Sequence, residues 1–331
     1  MSLQYFEGSF KYRSAIMGLA MLSIILFHQN YVNFFPFPAF HRIGYWGVEV
    51  FLFLSGMGMV NALQRYTLSH AYKRRFHRIL PSCMVIGTGK YLSFLLIGAP
   101  LLLMGERLHM GWWSMLGFDL WFIYAILTYY ILTPVLFMAI ISHPKISLLT
   151  ILGIHLITIF LWKEQIGHDW FNPLGVFVWI IDRLPVFCMG MYLTVYQEKV
   201  EKKTLVISLF FLLISLCCCL HPVIKRHTIP YISLFLTLAA PSMVWLCILV
   251  LRKTYTPLVK LLSFIGKYTL EIYLIHEYLL FTMGTLYPAH CNFLMLLLVI
   301  VASCAIAHLS RIFIHQVQTI ILRSIHRKTM A

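Results

Sequence analysis

The 331-residue chain is 60% apolar and 11% charged, with a mean hydropathy of +0.83, and its apolar residues come in long charge-free runs. That composition excludes a soluble globular domain and predicts an all-α, polytopic membrane bundle. The net charge of +15 invites a nucleic-acid reading, which stands or falls on where the charge sits.

Apolar runs fall at 14–31, 45–63, 81–104, 115–141, 146–162, 174–196, 204–220, 230–251, 262–284 and 292–314. About ten spans of roughly 20 residues use nearly the whole length, which predicts one transmembrane domain over 1–331 and no separate soluble domain. An even number of spans puts both termini on one side. Of the 26 Lys and Arg residues, 18 fall in the terminal segments and connections on that side, 5 in the alternate connections, and Lys90, Arg183 and Lys267 within or at the ends of spans. The positive-inside rule therefore predicts cytoplasmic termini. Topology accounts for the excess charge, and no nucleic-acid partner is expected. The eight cysteines contain no Cys-x-x-Cys pair, and Cys217, Cys218 and Cys219 are consecutive inside an apolar run, so neither a metal site nor a disulfide framework is expected. No small-residue cleavage pattern follows the first apolar run, which reads as a retained span.

The first span begins at Arg13 and ends in His28, with no ionisable residue between them. An intramembrane histidine is costly and marks a functional hypothesis by default. At about 1.5 Å per residue it lies roughly 20 Å above the inner edge, in the outer half of a core about 30 Å thick. The second span returns inward from Gly44-Tyr-Trp-Gly-Val-Glu-Val-Phe-Leu-Phe-Leu-Ser-Gly56 and carries Glu49 about one turn below its outer end. His28 and Glu49 are therefore expected at similar depth on neighbouring helices. Two readings stand at this point. The carboxylate orients the imidazole and stabilises it as it removes a proton, or the two form a structural hydrogen bond between helices. Ser55, near the end of the same motif, reads as a close helix contact.

The next inner connection, Tyr72-Lys-Arg-Arg-Phe-His-Arg-Ile-Leu-Pro81, holds more positive charge than orientation requires. Arg75 and Arg78 are three apart and share a helix face if the third span begins early, and Pro81 suits a first helical turn. Planar donor forks at these positions fit phosphate; contact with anionic lipid is the ordinary alternative. Lys90 reads as reaching a phosphate or snorkelling to an interface. Trp121 reads as packing or as part of an aromatic belt. Asp182 and Arg183 are adjacent in the sixth span and point about 100° apart on a helix, so each should serve a different partner; Arg183 is a candidate for stabilising an oxyanion. His276, about fourteen residues into the ninth span, matches His28 in depth and reads first as a structural histidine bonded to a neighbouring helix, with a role at the site as the alternative; the flanking Glu271 and Glu277 carry no assigned role. The outer segments Asn33-Phe-Phe-Pro-Phe-Pro38, His109-Met-Gly-Trp-Trp113 and His168-Asp-Trp-Phe-Asn172 read either as an interfacial belt or as a surface for a sugar or lipid headgroup. The tail from Ile312 to Lys328 reads as a basic amphipathic helix on the inner leaflet.

In this order, the histidine closing the first span, the Gly-Val-Glu-Val-Phe-Leu-Phe-Leu-Ser-Gly run, Arg75-x-x-Arg78-Ile-Leu-Pro, Trp121 with Tyr130 and Pro134, and Gly266-Lys-Tyr-Thr-Leu-Glu-Ile-Tyr-Leu-Ile-His276 resemble the integral membrane acyltransferase-3 family over essentially the whole chain. The resemblance implies O-acyl transfer, commonly of acetyl, from cytoplasmic acetyl-CoA or another acyl-CoA to a hydroxyl of a cell-envelope carbohydrate or lipid-linked glycan. It implies His28 as the catalytic residue of the first span and Arg75 and Arg78 as the phosphate contacts. Together with the depth argument it yields a dyad in which His28, oriented by Glu49, acts as base towards the acceptor hydroxyl or briefly carries the acyl group itself, with Arg74 and Arg13 as further coenzyme A ligands and no metal. Two departures stand out. The family's usual arginine eleven residues before the histidine is Met17 here, so that Arg13, one turn earlier, is the nearest substitute; and a glutamate common five residues after the tryptophan is Ile126. A transporter or flippase for an envelope lipid also needs intramembrane His, Glu and Arg. It differs in depending on an ion gradient and not on acyl-CoA.

Overall fold

The structure, a computed structural model, describes residues 11–29, 44, 46–97, 121–163, 173–196, 202–220, 229–287 and 292–330. Regular structure among the described residues is helical throughout: α1 (Arg13–His28), α2 (Trp46–Arg65), α3 (Leu68–Ile97), α4 (Trp121–Ser142), α5 (Pro144–Lys163), α6 (Pro173–Val195), α7 (Lys202–Leu220), α8 (Ile229–Lys253), α9 (Thr256–Lys267), α10 (Thr269–Leu286) and α11 (Phe293–Met330). Charge-free runs form helices because only helices satisfy every backbone polar group internally where no water is available. Among the described residues six helices hold segments long and apolar enough to cross a membrane, in α2, α4, α5, α6, α8 and α11, and α1 is a shorter apolar helix. Large apolar side chains face outward on α5 (Leu149, Leu156, Phe160) and α11 (Leu294, Leu298, Val301). Only a lipid solvent makes such faces favourable, and the chain is a multi-pass membrane protein.

Two elements differ from expectation. The ninth apolar run is not one helix: α9 stops at Lys267, Tyr268 takes φ −109° and ψ 15°, and α10 begins at Thr269. The α9 segment buries Leu262, Ile265 and Gly266 while Lys260 and Lys267 stay exposed, the pattern of a helix with one apolar face. The third span starts well before Pro81. Helix α3 already runs from Leu68, so Arg74, Arg75 and Arg78 are helical and Pro81 lies inside the helix.

The chain divides into two compact units: Met1–Phe27, Phe37–Tyr72 and Trp121–Lys267 form the first, and His28–Pro36, Lys73–Leu120 and Tyr268–Ala331 the second. In the first, α6 packs against α2, α4, α5 and α8. The approach of α2 to α6 is set by two glycines. A Cβ at Gly56 would run into the Phe187 carbonyl, and one at Gly190 into the Phe53 carbonyl. In the same way Gly18 of α1 lies against Leu262 and Gly266 of α9. Small residues let helix backbones touch where apolar burial alone gives no drive to associate. In the second unit, α10 packs along α11.

Candidate active site

In the second unit α10 brings His276 against His28. Nδ1 of His28 lies 2.8 Å from Nε2 of His276, with ring centroids 5.0 Å apart. The other nitrogen of His276, Nδ1, lies 2.8 Å from the Tyr273 carbonyl and 3.1 Å from the Ile272 carbonyl. Carbonyls only accept, so His276 Nδ1 carries the hydrogen. His276 is 1% exposed, and a second proton on its ring would place a poorly solvated charge inside the bundle. Its Nε2 is then the acceptor, and His28 Nδ1–H is the donor. The network assigns His28 the tautomer whose lone pair sits on Nε2, the form of imidazole that removes protons.

The same unit carries Arg74, Arg75 and Arg78 on α3. Arg75 and Arg78 are partly buried and Arg74 is exposed. One turn above Arg78, the Ser82 hydroxyl faces both the Arg78 carbonyl (3.1 Å) and Glu271 Oε1 (2.9 Å). Lys90 is buried. Ser93 Oγ and Tyr278 Oη are 2.7 Å apart.

The first unit holds a separate ionic cluster. Arg183 Nη1 donates to Glu49 Oε1, its Nε lies 3.4 Å from Asp182 Oδ2, and its guanidinium sits over the Trp179 ring at 5.7 Å. Thr158 donates to Asp182 Oδ1 at 3.2 Å, His155 Nδ1 lies 3.8 Å from that oxygen, and His155 Nε2 is 3.1 Å from Thr237 Oγ1. Glu49, Asp182, Arg183 and His155 are all buried. Asp182 reaches α5 through Thr158 and His155 and Arg183 reaches α2 through Glu49, while the two also pair with each other. Trp121 stacks on Trp179 with centroids 5.5 Å apart. Arg13 Nη2 donates to the Leu54 carbonyl at 3.4 Å, and Ser55 is buried in α2. An apolar cavity of about 260 Å³, lined by Leu19, Trp46, Leu212, Leu236, Met243 and Cys247, contains none of the candidate residues.

His28 and Glu49, matched by depth in the sequence, belong to different units, and each has another partner in its own: His276 for the histidine, Arg183 for the carboxylate. Arg183, a candidate for an oxyanion, is engaged by Glu49. Three buried polar residues escaped notice or were given no role: His155, Ser82 and Glu271. His155 carried the signal that singled out His28, an isolated histidine inside an apolar run. The outer aromatic segments lie outside the described residues. No group of three or more His, Cys, Asp or Glu residues suited to a metal occurs among the described residues.

A family model described as an acyltransferase domain matches residues 15–310, most of the chain and every candidate residue except Arg13. No curated protein and no solved structure matches the chain.

Proposed function

Because the chain belongs to the acyltransferase-3 family of membrane acyltransferases, we propose that it moves an acetyl group from cytoplasmic acetyl-CoA to a hydroxyl of a cell-envelope carbohydrate or lipid-linked glycan. In this reading ten spans place both termini in the cytoplasm of a bacterial inner membrane. The phosphates of coenzyme A rest on Arg75 and Arg78 with Arg74 nearby, and the arm runs up the second unit towards His28. Nε2 of His28 takes the acceptor hydroxyl's proton as the oxygen attacks the thioester carbonyl. A carbon–oxygen bond forms, the carbon–sulfur bond breaks, and the thiolate leaves to be protonated as coenzyme A. His276 orients the base: it holds Nδ1–H of His28 and so keeps the lone pair on Nε2. Glu49, tied to Arg183, positions α2 against α6 and makes no proton transfer.

The observation that carries this reading is the His28–His276 hydrogen bond, anchored by two backbone carbonyls, in the unit that also holds the arginines. Membranes containing the protein are expected to consume acetyl-CoA and to add acetyl groups to an envelope glycan, read by mass spectrometry. His28→Ala should lower kcat by about 100-fold or more, the usual worth of a general base. His276→Leu should lower kcat with little change in KM for acetyl-CoA, whereas His276→Gln, which still offers an acceptor to His28 Nδ1–H, should keep most of the activity. Full activity in a correctly inserted His28→Ala variant would sink the proposal, and so would transport driven by an ion gradient without use of acetyl-CoA.

A further inference from the structure

The second unit holds a buried carboxylate that this chemistry leaves idle. Glu271 is 1% exposed on α10. The one hydroxyl hydrogen of Ser82 faces both its Oε1 and the Arg78 carbonyl, while Oε2 is buried with no hydrogen-bond partner among the described residues. The group is therefore short of donors, a costly state for a buried carboxylate. Among the described residues no N–H or O–H is aimed at Oε2.

Position along the helices indicates where such a donor would come from. Helices α3 and α10 run parallel, since Ser82 pairs with Glu271 and, further along both, Ser93 with Tyr278. At about 1.5 Å per residue, Ser82 stands about 6 Å above Arg78, and His276 about 7.5 Å beyond Glu271. A ligand with phosphates on Arg75 and Arg78 and a reacting carbonyl at His28 therefore spans the depth at which Glu271 lies, a short way beyond the arginines. The pantetheine arm of coenzyme A carries a hydroxyl and an amide N–H near its phosphate end. It has about as many main-chain bonds as four amino-acid residues, roughly 14 Å when extended, which matches the rise from Arg78 to His276.

We infer that Glu271 is a binding residue for the pantetheine arm of the acyl donor, with Oε2 accepting from the arm's hydroxyl or its first amide N–H and Ser82 holding Oε1. The inference rests on the acyl-CoA reading above. Binding is measured on the full-length purified protein with two probes, coenzyme A and 3′-phospho-adenosine diphosphate, the head of coenzyme A with all its phosphates and without its arm. The wild type should bind coenzyme A more tightly than the head. Glu271→Leu should weaken coenzyme A by about 10-fold, as expected for one lost hydrogen bond to a charged group, and leave the head unchanged, which also reports that the unit is folded. Glu271→Gln, with a carbonyl still available to the arm, should lose less. Undiminished coenzyme A binding by Glu271→Leu overturns the assignment. If that variant binds neither probe, Ser82→Ala decides: a reduced preference for coenzyme A over the head supports the assignment, and an unchanged preference overturns it. A wild type that binds neither probe overturns the acyl-CoA reading itself and this inference with it.

Discussion

A guanidinium between two carboxylates inside a bundle has no water to replace a lost partner. Arg183 donates to Glu49 and lies 3.4 Å from Asp182, so one guanidinium serves two buried carboxyl groups, on α2 and α6. Removing one member of such a set costs about 3–5 kcal/mol, while replacing a whole buried pair with apolar side chains of similar size is close to neutral. Arg183→Leu should therefore lower Tm steeply in detergent, and Glu49→Leu combined with Arg183→Leu should recover part of the loss, Asp182 being left with Thr158 and His155. Thermal unfolding of the two single variants and the double variant measures the coupling. A double variant no more stable than Arg183→Leu alone would show that the pair is not the origin of the loss. Both residues stood out in the sequence as costly charges in apolar runs. Their pairing did not, because depth in the membrane supplies one coordinate and a contact needs the rotation of both helices as well.

Between α2 and α6 the decisive side chain is a hydrogen atom. A Cβ at Gly56 meets the Phe187 carbonyl, a backbone atom that cannot rotate away, so Gly56→Ala must push the helices apart. Overpacking of this kind costs about 1–3 kcal/mol. Gly153 on α5 has nothing within 4 Å of its added Cβ, and Gly153→Ala should be neutral or stabilising by up to about 1 kcal/mol through helix propensity. Comparing their thermal midpoints tests the packing argument; equal effects would contradict it. The break between α9 and α10 belongs to the same scale. Hydropathy reads 262–284 as one run, whereas α9 presents a small-residue face against which α1 packs at Gly18, and the chain restarts as a separate helix to carry Glu271 and His276.

Across the whole molecule, charge placement and lipid-facing helices make a topological prediction. If ten spans cross the membrane, 18 of the 26 basic residues share the side of the termini, and reporters fused at either end should be cytoplasmic, as should a reporter inserted near Lys145. Reporters near Arg107 and His168 should be external. Termini on opposite sides of the membrane would require an odd number of spans and would overturn the ten-span reading. The tail read as an interfacial helix continues α11 without a break as far as Met330, so its inner end is held by the last helix.

The sequence by itself determined the all-helical membrane class and most of the residues worth watching. Long charge-free runs have only one backbone solution in a lipid solvent, and an isolated His, Glu or Arg within them is too costly to be incidental. The tertiary structure alone decided the partners. Which of several buried ionisable groups meet depends on how each helix is rotated and how closely small residues let it approach its neighbours. No one-dimensional pattern records those quantities, so His28 acquired His276, Glu49 acquired Arg183, and Glu271 acquired Ser82.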